Sequence, residues 1–404
     1  MKQKLYFRNF TALIAMMAFL CIGAGMAFAK TDIIPGGPWI TDNQNVSLER
    51  LNDYPQLVKK LKQIEKTSKG MVELEVIGQT NYGKDLYLAK VGDPSNDPVM
   101  IMTQQHGNEP MTTEAALKLL QELGTGSKNV QGILDELYVL VIVRVNPEGA
   151  ELFTRGNADF DAPPRDSRSC FFSDGSVNPA LINQGRGVYS TTYVDPEGNF
   201  FSNYDINRYH WEDWSQSDQI LCNPGLPGRH FDPDLCPVPE AVAVVEAFKN
   251  YRPLWMADFH HQGTYVTEDG ESVTSSILWP RNENVLEEFV DLSKQLCVTI
   301  YDHMQQFGFA TITLYPGGTF AGIARNAYGL AGAGSILVEL KGGIGQKQSG
   351  MIIKHAYEQM WSILEATADG SLDDVDPERS DEIPPRGTYY YKDIPPNENE
   401  DDGE

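Results

Sequence analysis

Short apolar, β-rich segments recur along the chain and alternate with longer segments of helical periodicity. The predicted strands cover residues 72–77, 86–91, 99–103, 137–145, 254–259 and 336–340. The clearest predicted helices cover residues 111–123, 239–250, 284–307 and 346–366. Strands that alternate with helices predict an α/β domain whose partly parallel sheet is covered on both faces.

Polar side chains follow several of these predicted strands at the point where each strand ends. His106, Asn146, His260 and Glu339 all lie at or just beyond the carboxyl end of an apolar segment. Open α/β sheets bind their ligands at that edge. We therefore expect these side chains to meet at one site.

The two ends of the chain differ in composition from residues 30–368, which suffice for one large domain. Three basic residues precede an apolar stretch, and Ala27-Phe-Ala29 follows as a small-x-small cleavage pattern, so residues 1–29 are predicted to be a signal peptide. A retained membrane anchor is the alternative, but Gly23 and Gly25 interrupt the stretch. The mature chain is predicted to be secreted or periplasmic, without stable membrane association.

Negative charge dominates the composition. The net charge is −24, and it becomes −27 once a signal with three basic and no acidic residues is removed. This charge argues against nucleic acid or an anionic membrane as a partner. Residues 369–404 hold thirteen acidic and three basic residues with little aliphatic content, so this tail is predicted to be disordered. We interpret it as a solubilising tail, with a docking role as the alternative.

Four cysteines remain after the predicted cleavage: Cys170, Cys222, Cys236 and Cys297. A bridge between Cys222 and Cys236 would close a short Pro- and Gly-rich loop, although the sequence does not fix the pairing. The absence of a close Cys-x-x-Cys pair argues against metal binding by these residues. Residues 159–202, rich in Gly, Pro, Asp and Ser, are predicted to form a long surface insertion near the site.

His106-Gly-Asn-Glu109 places an imidazole and a carboxylate three residues apart, and Asp258-Phe-His-His261 follows another strand. Two histidines and a glutamate can hold zinc with one position open, where a bound water reaches a pKa of about 7. Asp258 is expected to orient one of the rings. The structural alternatives are a capping pair at a strand-to-helix turn and a histidine pair at a strand end.

Glu339 lies inside an otherwise apolar predicted strand, where a buried carboxylate is costly unless it is paired or has a function. Partial desolvation would suit it to act as a general base, and a structural salt bridge is the alternative. Arg155 and Arg208 could clamp an anionic substrate end and stabilise a developing oxyanion. Either could instead be an ordinary surface arginine.

These motifs, taken in order over roughly residues 45–366, resemble the motif series of the zinc metallocarboxypeptidases related to carboxypeptidase A. The resemblance implies a three-layer α/β sandwich with a mixed, twisted sheet of about eight strands. It rests on His106-Gly-Asn-Glu109, Asn146-Pro-Glu-Gly149, Arg155-Gly-Asn157, Asp205-Ile-Asn-Arg208, Asp258-Phe-His260 and Val338-Glu-Leu340.

Carried over residue by residue, the resemblance implies one zinc ion per chain, bound by His106, Glu109 and His260. His260 is preferred to His261 because it follows Asp-Phe in the register of the family motif. Glu339 matches the general base of the family.

The resemblance also implies a substrate site. Arg155 matches the arginine that polarises the scissile carbonyl, and Asn207 and Arg208 match the pair that binds the terminal carboxylate. The mobile tyrosine that caps the substrate has its nearest counterpart in Tyr315, with Tyr328 as the alternative.

The predicted function is that of an exported, monomeric zinc metallocarboxypeptidase whose partners are peptides with a free C-terminal carboxylate. The alternatives are a cell-wall amidase acting on γ-glutamyl or diaminopimelate peptides and a non-catalytic peptide-binding protein. The uncharged residues 319–323 favour a neutral or apolar terminal residue in the substrate. The acidic composition would instead favour cationic substrates.

Overall fold

A mixed, eight-stranded sheet organises the computed structural model, which describes residues 51–152, 155–157, 190–194, 200–211, 238–342 and 349–389. The strands of these ranges are β1 (Val72–Gln79), β2 (Asp85–Val91), β3 (Asp97–Thr103), β4 (Leu137–Ile142), β5 (Ser190–Val194), β6 (Phe200–Tyr204), β7 (Trp255–Gln262), β8 (Tyr265–Val266), β9 (Ser275–Leu278), β10 (Ile312–Leu314), β11 (Gly334–Lys341) and β12 (Thr388–Tyr389). Strands β5 and β6 pair as a separate hairpin, and β8 pairs with β12.

The large sheet has the order β1-β2-β4-β3-β7-β11-β9-β10. Its four central strands, β4, β3, β7 and β11, run parallel to one another, whereas β2 and β9 flank them in the antiparallel direction. Strands β4, β7 and β11 are buried along their whole length, which explains why they read as nearly continuous apolar runs in the sequence.

The α-helices of the described residues are α1 (Tyr54–Thr67), α2 (Met111–Leu123), α3 (Lys128–Leu134), α4 (Pro147–Leu152), α5 (Pro239–Tyr251), α6 (Glu287–Gln305), α7 (Ala324–Leu330) and α8 (Ser349–Ala368). Every predicted helix and strand is present, with ends that differ by at most three residues. Helices α1, α3, α4 and α7 were not predicted, although α1 begins with a capping box in which Asp53 and Gln56 exchange hydrogen bonds.

Helices cover both faces of the sheet. One face packs against α1, α2, α3, α6 and α8 around a large apolar core, and the other face packs against α5 and α7 around a smaller one. This arrangement confirms the expected three-layer α/β sandwich with a mixed sheet of about eight strands. Within the described ranges, no helix combines the length and the apolar composition that a membrane span requires.

The parallel central strands end at a common edge of the sheet. His106 follows β3, Asn146 follows β4, and His260 and Glu339 lie near the carboxyl ends of β7 and β11. His260 and Glu339 stand directly opposite each other in the register of these two strands. The predicted meeting of these side chains at one edge is confirmed.

Several predictions concern residues outside the described ranges. These are the signal peptide 1–29, the bridge between Cys222 and Cys236, Cys170, and most of the insertion 159–202. Cys297 is described: its thiol is free and buried in α6, and burial raises its pKa.

The predicted disorder of residues 369–404 is wrong for residues 369–389. This stretch forms short 3-10 helices at Ser371–Asp374 and Pro377–Glu382, and its strand β12 pairs with β8. Leu372 and Ile383 are buried in the larger core, and the Arg379 guanidinium contacts the Asp302 carboxylate at 2.7 Å. A few apolar residues of this acidic segment pack against the core of the domain. The average composition of the segment does not reveal these residues, so the prediction of disorder failed here. Residues 390–404 lie outside the described ranges.

Replacement of the buried Ile383 tests whether this segment belongs to the folded domain. Ile383→Ala should lower the free energy of unfolding by about 2–4 kcal/mol, because it leaves a cavity in the core. Asp381→Ala, at an exposed position two residues earlier, is the matched control and should change it by less than about 0.5 kcal/mol. Urea denaturation followed by circular dichroism measures both, and equal stabilities would contradict the docking of the segment.

Candidate metal centre and substrate pocket

Three side chains from the ends of β3 and β7 converge on a small volume. The Glu109 carboxylate lies between the two rings, with Oε1 2.8 Å from Nδ1 of His106 and Oε2 2.8 Å from Nδ1 of His260. The two Nδ1 atoms are 3.0 Å apart, and all three residues are buried. The predicted grouping of His106, Glu109 and His260 is confirmed.

These separations suit a zinc ion. Bonds of about 2.0–2.1 Å at a tetrahedral angle place neighbouring donor atoms about 3.3 Å apart, close to the observed spacings. Two imidazole nitrogens whose lone pairs face each other repel unless a proton or a cation lies between them. Two nitrogens and a carboxylate leave a fourth tetrahedral position for substrate or water.

A carboxylate lies behind each histidine. Asp205 Oδ1 is 3.0 Å from Nε2 of His106, and Asp258 Oδ2 is 2.8 Å from Nε2 of His260. Because an ionised carboxylate can only accept, these contacts favour a proton on each Nε2, which leaves the lone pair of Nδ1 for the metal position. The expected contact between Asp258 and a histidine ring is present, whereas the contact of Asp205 was missed from the sequence.

Asp205 also joins the metal centre to the substrate residues. Its carboxylate accepts hydrogen bonds from the backbone N–H of Asn207 and from Nε of Arg155, both at 3.0 Å. The first of these bonds caps the 3-10 helix Ile206–Arg208. One buried carboxylate therefore fixes a metal ligand, an arginine and the segment that carries Asn207 and Arg208.

The electrostatics of the site favour a bound cation. Burial acts to raise the pKa of Glu109, but His106 and His260 outweigh it and hold that pKa well below its usual range. Burial also acts to lower the pKa of His260, but the carboxylates of Asp258 and Glu109 outweigh it and hold that pKa well above its ordinary value. The carboxylates thus retain a proton on the ring that a metal ion would displace.

The structure distinguishes His260 from His261. Consecutive residues of a strand point to opposite faces, so His261 lies on the side of the larger core while His260 faces Glu109. Burial lowers the pKa of His261 to about 4, and neither of its ring nitrogens has a hydrogen-bond partner among the described residues. The choice of His260 as the ligand agrees with this geometry.

Close backbone contact explains the glycines of two motifs. A Cβ on Gly107 would lie 1.9 Å from the carbonyl carbon of Gly149, and a Cβ on Gly149 would lie 2.4 Å from Nδ2 of Asn146. The Asn146 amide donates to the carbonyl of Gly156 at 2.8 Å and accepts from N–H of Gly149 at 2.8 Å. It also donates to the carbonyl of Gln105 at 3.2 Å, so the loops of both motifs and of Arg155 form one packed unit.

A strained residue starts the turn that carries His106. Gln104 has a φ of +50°, a conformation that residues other than glycine rarely adopt. Its side chain compensates: Nε2 donates to the carbonyl of Gly107 at 2.8 Å, and Oε1 accepts from Nε of Arg144 at 2.8 Å. These bonds hold the direction of the chain between β3 and α2.

A pocket of about 340 Å³ opens beside the metal donors. Its lining includes every residue predicted to act on substrate: Arg155, Asn207, Arg208, Tyr315 and Glu339. Asn207 is held by the backbone N–H of Ala324, which donates to its Oδ1 at 2.9 Å, and Glu339 is only 8% exposed. Arg325 and Leu337 also line the pocket and were not predicted from the sequence. Ile323 lines it too, and it belongs to the uncharged segment 319–323 that favoured a neutral or apolar terminal residue.

The two candidate capping tyrosines have different surroundings. Tyr328 is buried against Phe248, its hydroxyl lies 2.8 Å from Nδ1 of His210, and it does not line the pocket. Tyr315 lines the pocket, and the Arg386 guanidinium lies 4.7 Å from the centre of its ring. The same guanidinium lies 3.7 Å from the ring centre of Tyr265, so the C-terminal segment supports one wall of the pocket.

A buried hydrogen-bond chain supports the second histidine ligand. Nε2 of His210 lies 3.0 Å from Oε1 of Gln105, whose Nε2 donates to Asp258. Burial lowers the pKa of His210 to about 3, so its ring is neutral and can accept or donate without carrying charge. This chain links Tyr328 to the carboxylate that orients His260.

Comparisons with known proteins identify the family of this chain. The sequence profile of the zinc carboxypeptidase family matches residues 57–361, so the chain belongs to the zinc carboxypeptidase family, whose members are hydrolases acting on peptides. A zinc carboxypeptidase from Saccharothrix mutabilis subsp. capreolus is 25% identical over 108 residues. That alignment covers 25% of this chain and spans only 25% of the length of the relative.

Solved structures show the same fold. The carboxypeptidase A of Helicoverpa armigera aligns with a TM-score of 0.55 at 15% identity, covering 81% of this chain and 77% of that one. Bovine thrombin-activatable fibrinolysis inhibitor, solved in complex with tick carboxypeptidase inhibitor, aligns with a TM-score of 0.51 at 13% identity, covering 81% and 99%. At these identities the likeness establishes the fold alone.

Adding a methyl group at Gly107 tests the packed unit of loops. Gly107→Ala should lower the free energy of unfolding by about 3 kcal/mol and reduce the zinc content of the purified protein, because the backbone of Gly149 must move away. Gly132→Ala is the matched control: no atom lies within 4 Å of the added Cβ in α3, and stability should rise by up to about 1 kcal/mol. Full zinc content and unchanged stability in Gly107→Ala would contradict the close contact.

Proposed function

We propose that this protein is an exported zinc metallocarboxypeptidase that hydrolyses the C-terminal amide bond of peptides. One observation carries the proposal. Glu339 and two arginines, Arg155 and Arg208, line a single pocket together with His106, a member of the grouped metal donors. A non-catalytic binding protein would not need a carboxylate beside a complete donor set.

His106, Glu109 and His260 would hold the metal. Bound there, zinc supplies a Lewis acid that polarises the scissile carbonyl and lowers the pKa of water. Asp205 and Asp258 keep both imidazoles in the orientation that this binding requires.

Arg208 and Asn207 bind the terminal carboxylate of the peptide. Arg208 already donates from Nη1 to the carbonyl of Asn207 at 3.0 Å, and its side chain is only 7% exposed, so the guanidinium is held in place before substrate arrives. Tyr315, which lines the same pocket, covers the bound end.

Arg155 and Glu339 act at the reacting atoms. Arg155 is oriented by Asp205 and donates hydrogen bonds to the carbonyl oxygen of the scissile amide as negative charge develops there. Glu339 accepts a proton from the attacking water and passes it to the nitrogen of the leaving amine. The register of β7 and β11 places this carboxylate opposite His260.

Export belongs to the proposal and rests on the basic, apolar and small-residue pattern of residues 1–29. Protein recovered from the periplasm or the medium should begin at Lys30. Mass spectrometry of the intact protein and of its N-terminal peptide measures this. Recovery of uncleaved protein from the cell interior alone would contradict export.

Glu339→Gln tests the assignment of the general base. The variant should lower kcat at least about 1,000-fold while keeping one zinc ion per chain, because the amide retains the shape of the side chain but cannot accept the proton. Glu268→Gln, a change of the same charge at an exposed position, should leave kcat unchanged. A peptide-hydrolysis assay measures kcat, and plasma mass spectrometry measures the zinc content of the protein. A Glu339→Gln enzyme with the original rate would remove Glu339 from the mechanism.

A further inference from the structure

We propose that Arg325 binds a carboxylate on the side chain of the terminal residue, so that the enzyme selects peptides with an acidic C-terminal residue. This inference rests on the proposed function and names its substrate class. The observation behind it is a second buried guanidinium in the pocket that also holds Arg208.

The hydrogen bonding of Arg325 is incomplete. Its Nη2 donates to the carbonyl of Gly318 at 2.5 Å, whereas Nε is buried and has no partner among the described residues. No ion pair in the described ranges involves this guanidinium, although the residue is only 2% exposed. A guanidinium presents a planar fork of donors that matches a carboxylate.

The side chain remains charged in this environment. Burial lowers the pKa of Arg325 to about 10, which still leaves it protonated at neutral pH. Tyr315 and Glu339, which line the same pocket, act to raise this pKa, but no carboxylate of the described residues forms an ion pair with the guanidinium. A buried charge without a direct partner is costly, and such a group is usually paired with a ligand or has another function. An anionic ligand group in the pocket would supply the missing partner.

The surrounding backbone holds the guanidinium in place. A Cβ on Gly317 would lie 2.4 Å from Nη2 and 2.7 Å from Cζ of Arg325, so only glycine allows this approach. The start of α7 is also tied to the segment that carries Arg208. The N–H of Ala324 donates to Asn207 at 2.9 Å, and the carbonyl of Gly322 accepts from His210 N–H at 3.1 Å.

The other two arginines of the pocket already have roles. Arg155 is paired with Asp205 and faces the scissile carbonyl, and Arg208 lies beside Asn207 for the terminal carboxylate. Arg325 is left for a second carboxylate, while Ile323 and Leu337 offer apolar surface to the methylene groups between the two. The uncharged residues 319–323 favoured a neutral terminal residue, but the charge appears two positions later in the sequence.

The test compares three blocked dipeptides that differ only in the C-terminal residue: Glu, Gln or Leu. The wild-type enzyme should cleave the Glu substrate with a kcat/KM about 10- to 100-fold above that for Gln. Arg325→Met should lose this factor for Glu while changing the values for Gln and Leu less than about threefold. Arg281→Gln removes the same charge from an exposed position whose charge also acts on the pKa of Arg325, and it should keep the wild-type preference.

Two kinetic outcomes would overturn the inference. One is a wild-type enzyme that prefers Gln or Leu to Glu. The other is an equal loss for all three substrates in Arg325→Met, which would place Arg325 on the terminal carboxylate instead. If Arg325→Met does not fold, Arg325→Lys replaces it and should retain the charge but lose most of the preference, because an ammonium lacks the planar fork.

A binding measurement distinguishes failure of this inference from failure of the proposed function. Calorimetry on the zinc-loaded protein should show N-acetylglutamate binding about tenfold or more tightly than N-acetylglutamine, and Arg325→Met should abolish the difference. Equal affinities would overturn the inference. A preference in binding without cleavage of any peptide would instead overturn the proposed function. The side chain of diaminopimelate also carries a carboxylate. Comparing a peptide that ends in diaminopimelate with the Glu peptide shows which of the two side chains supplies the carboxylate that the pocket binds.

Discussion

The parallel register of β3, β7 and β11 is the constraint on which the site depends. It brings His106, His260 and Glu339 to one edge, and it sets His260 directly against Glu339. A slip of one residue between β7 and β11 would send one of these side chains to the opposite face. Burial of these central strands on both faces specifies their register and so protects the site.

Buried charge is the second organising feature. Glu109, Asp205 and Asp258 are almost fully buried, each within 3.0 Å of a ring nitrogen of His106 or His260, a costly arrangement that only cationic partners can offset. Arg155, Arg208 and the histidines supply part of that compensation. A divalent ion would supply the rest, so metal binding and the stability of this edge are linked.

Much of the fold could be predicted from the sequence, because the central strands are long, buried and separated by strongly periodic helices. Strands β9 and β10 were missed because they have only four and three residues. Glu109 and His260 were found through motif spacing, whereas Asp205 and Gln105 act through contacts that only the folded chain creates. Arg325 lies inside a helix that no motif marked, and only the pocket shows where its charge is placed.

The contact between Arg386 and Tyr315 has a consequence for the order in which the molecule is assembled. Residues 383–389 leave the ribosome after every metal donor and every other residue of the pocket wall. A nascent chain therefore contains the whole donor set before it contains the segment that supports Tyr315. The pocket wall is therefore complete only after residues 383–389 have been synthesised, and a chain clipped before Ile383 would lack that support.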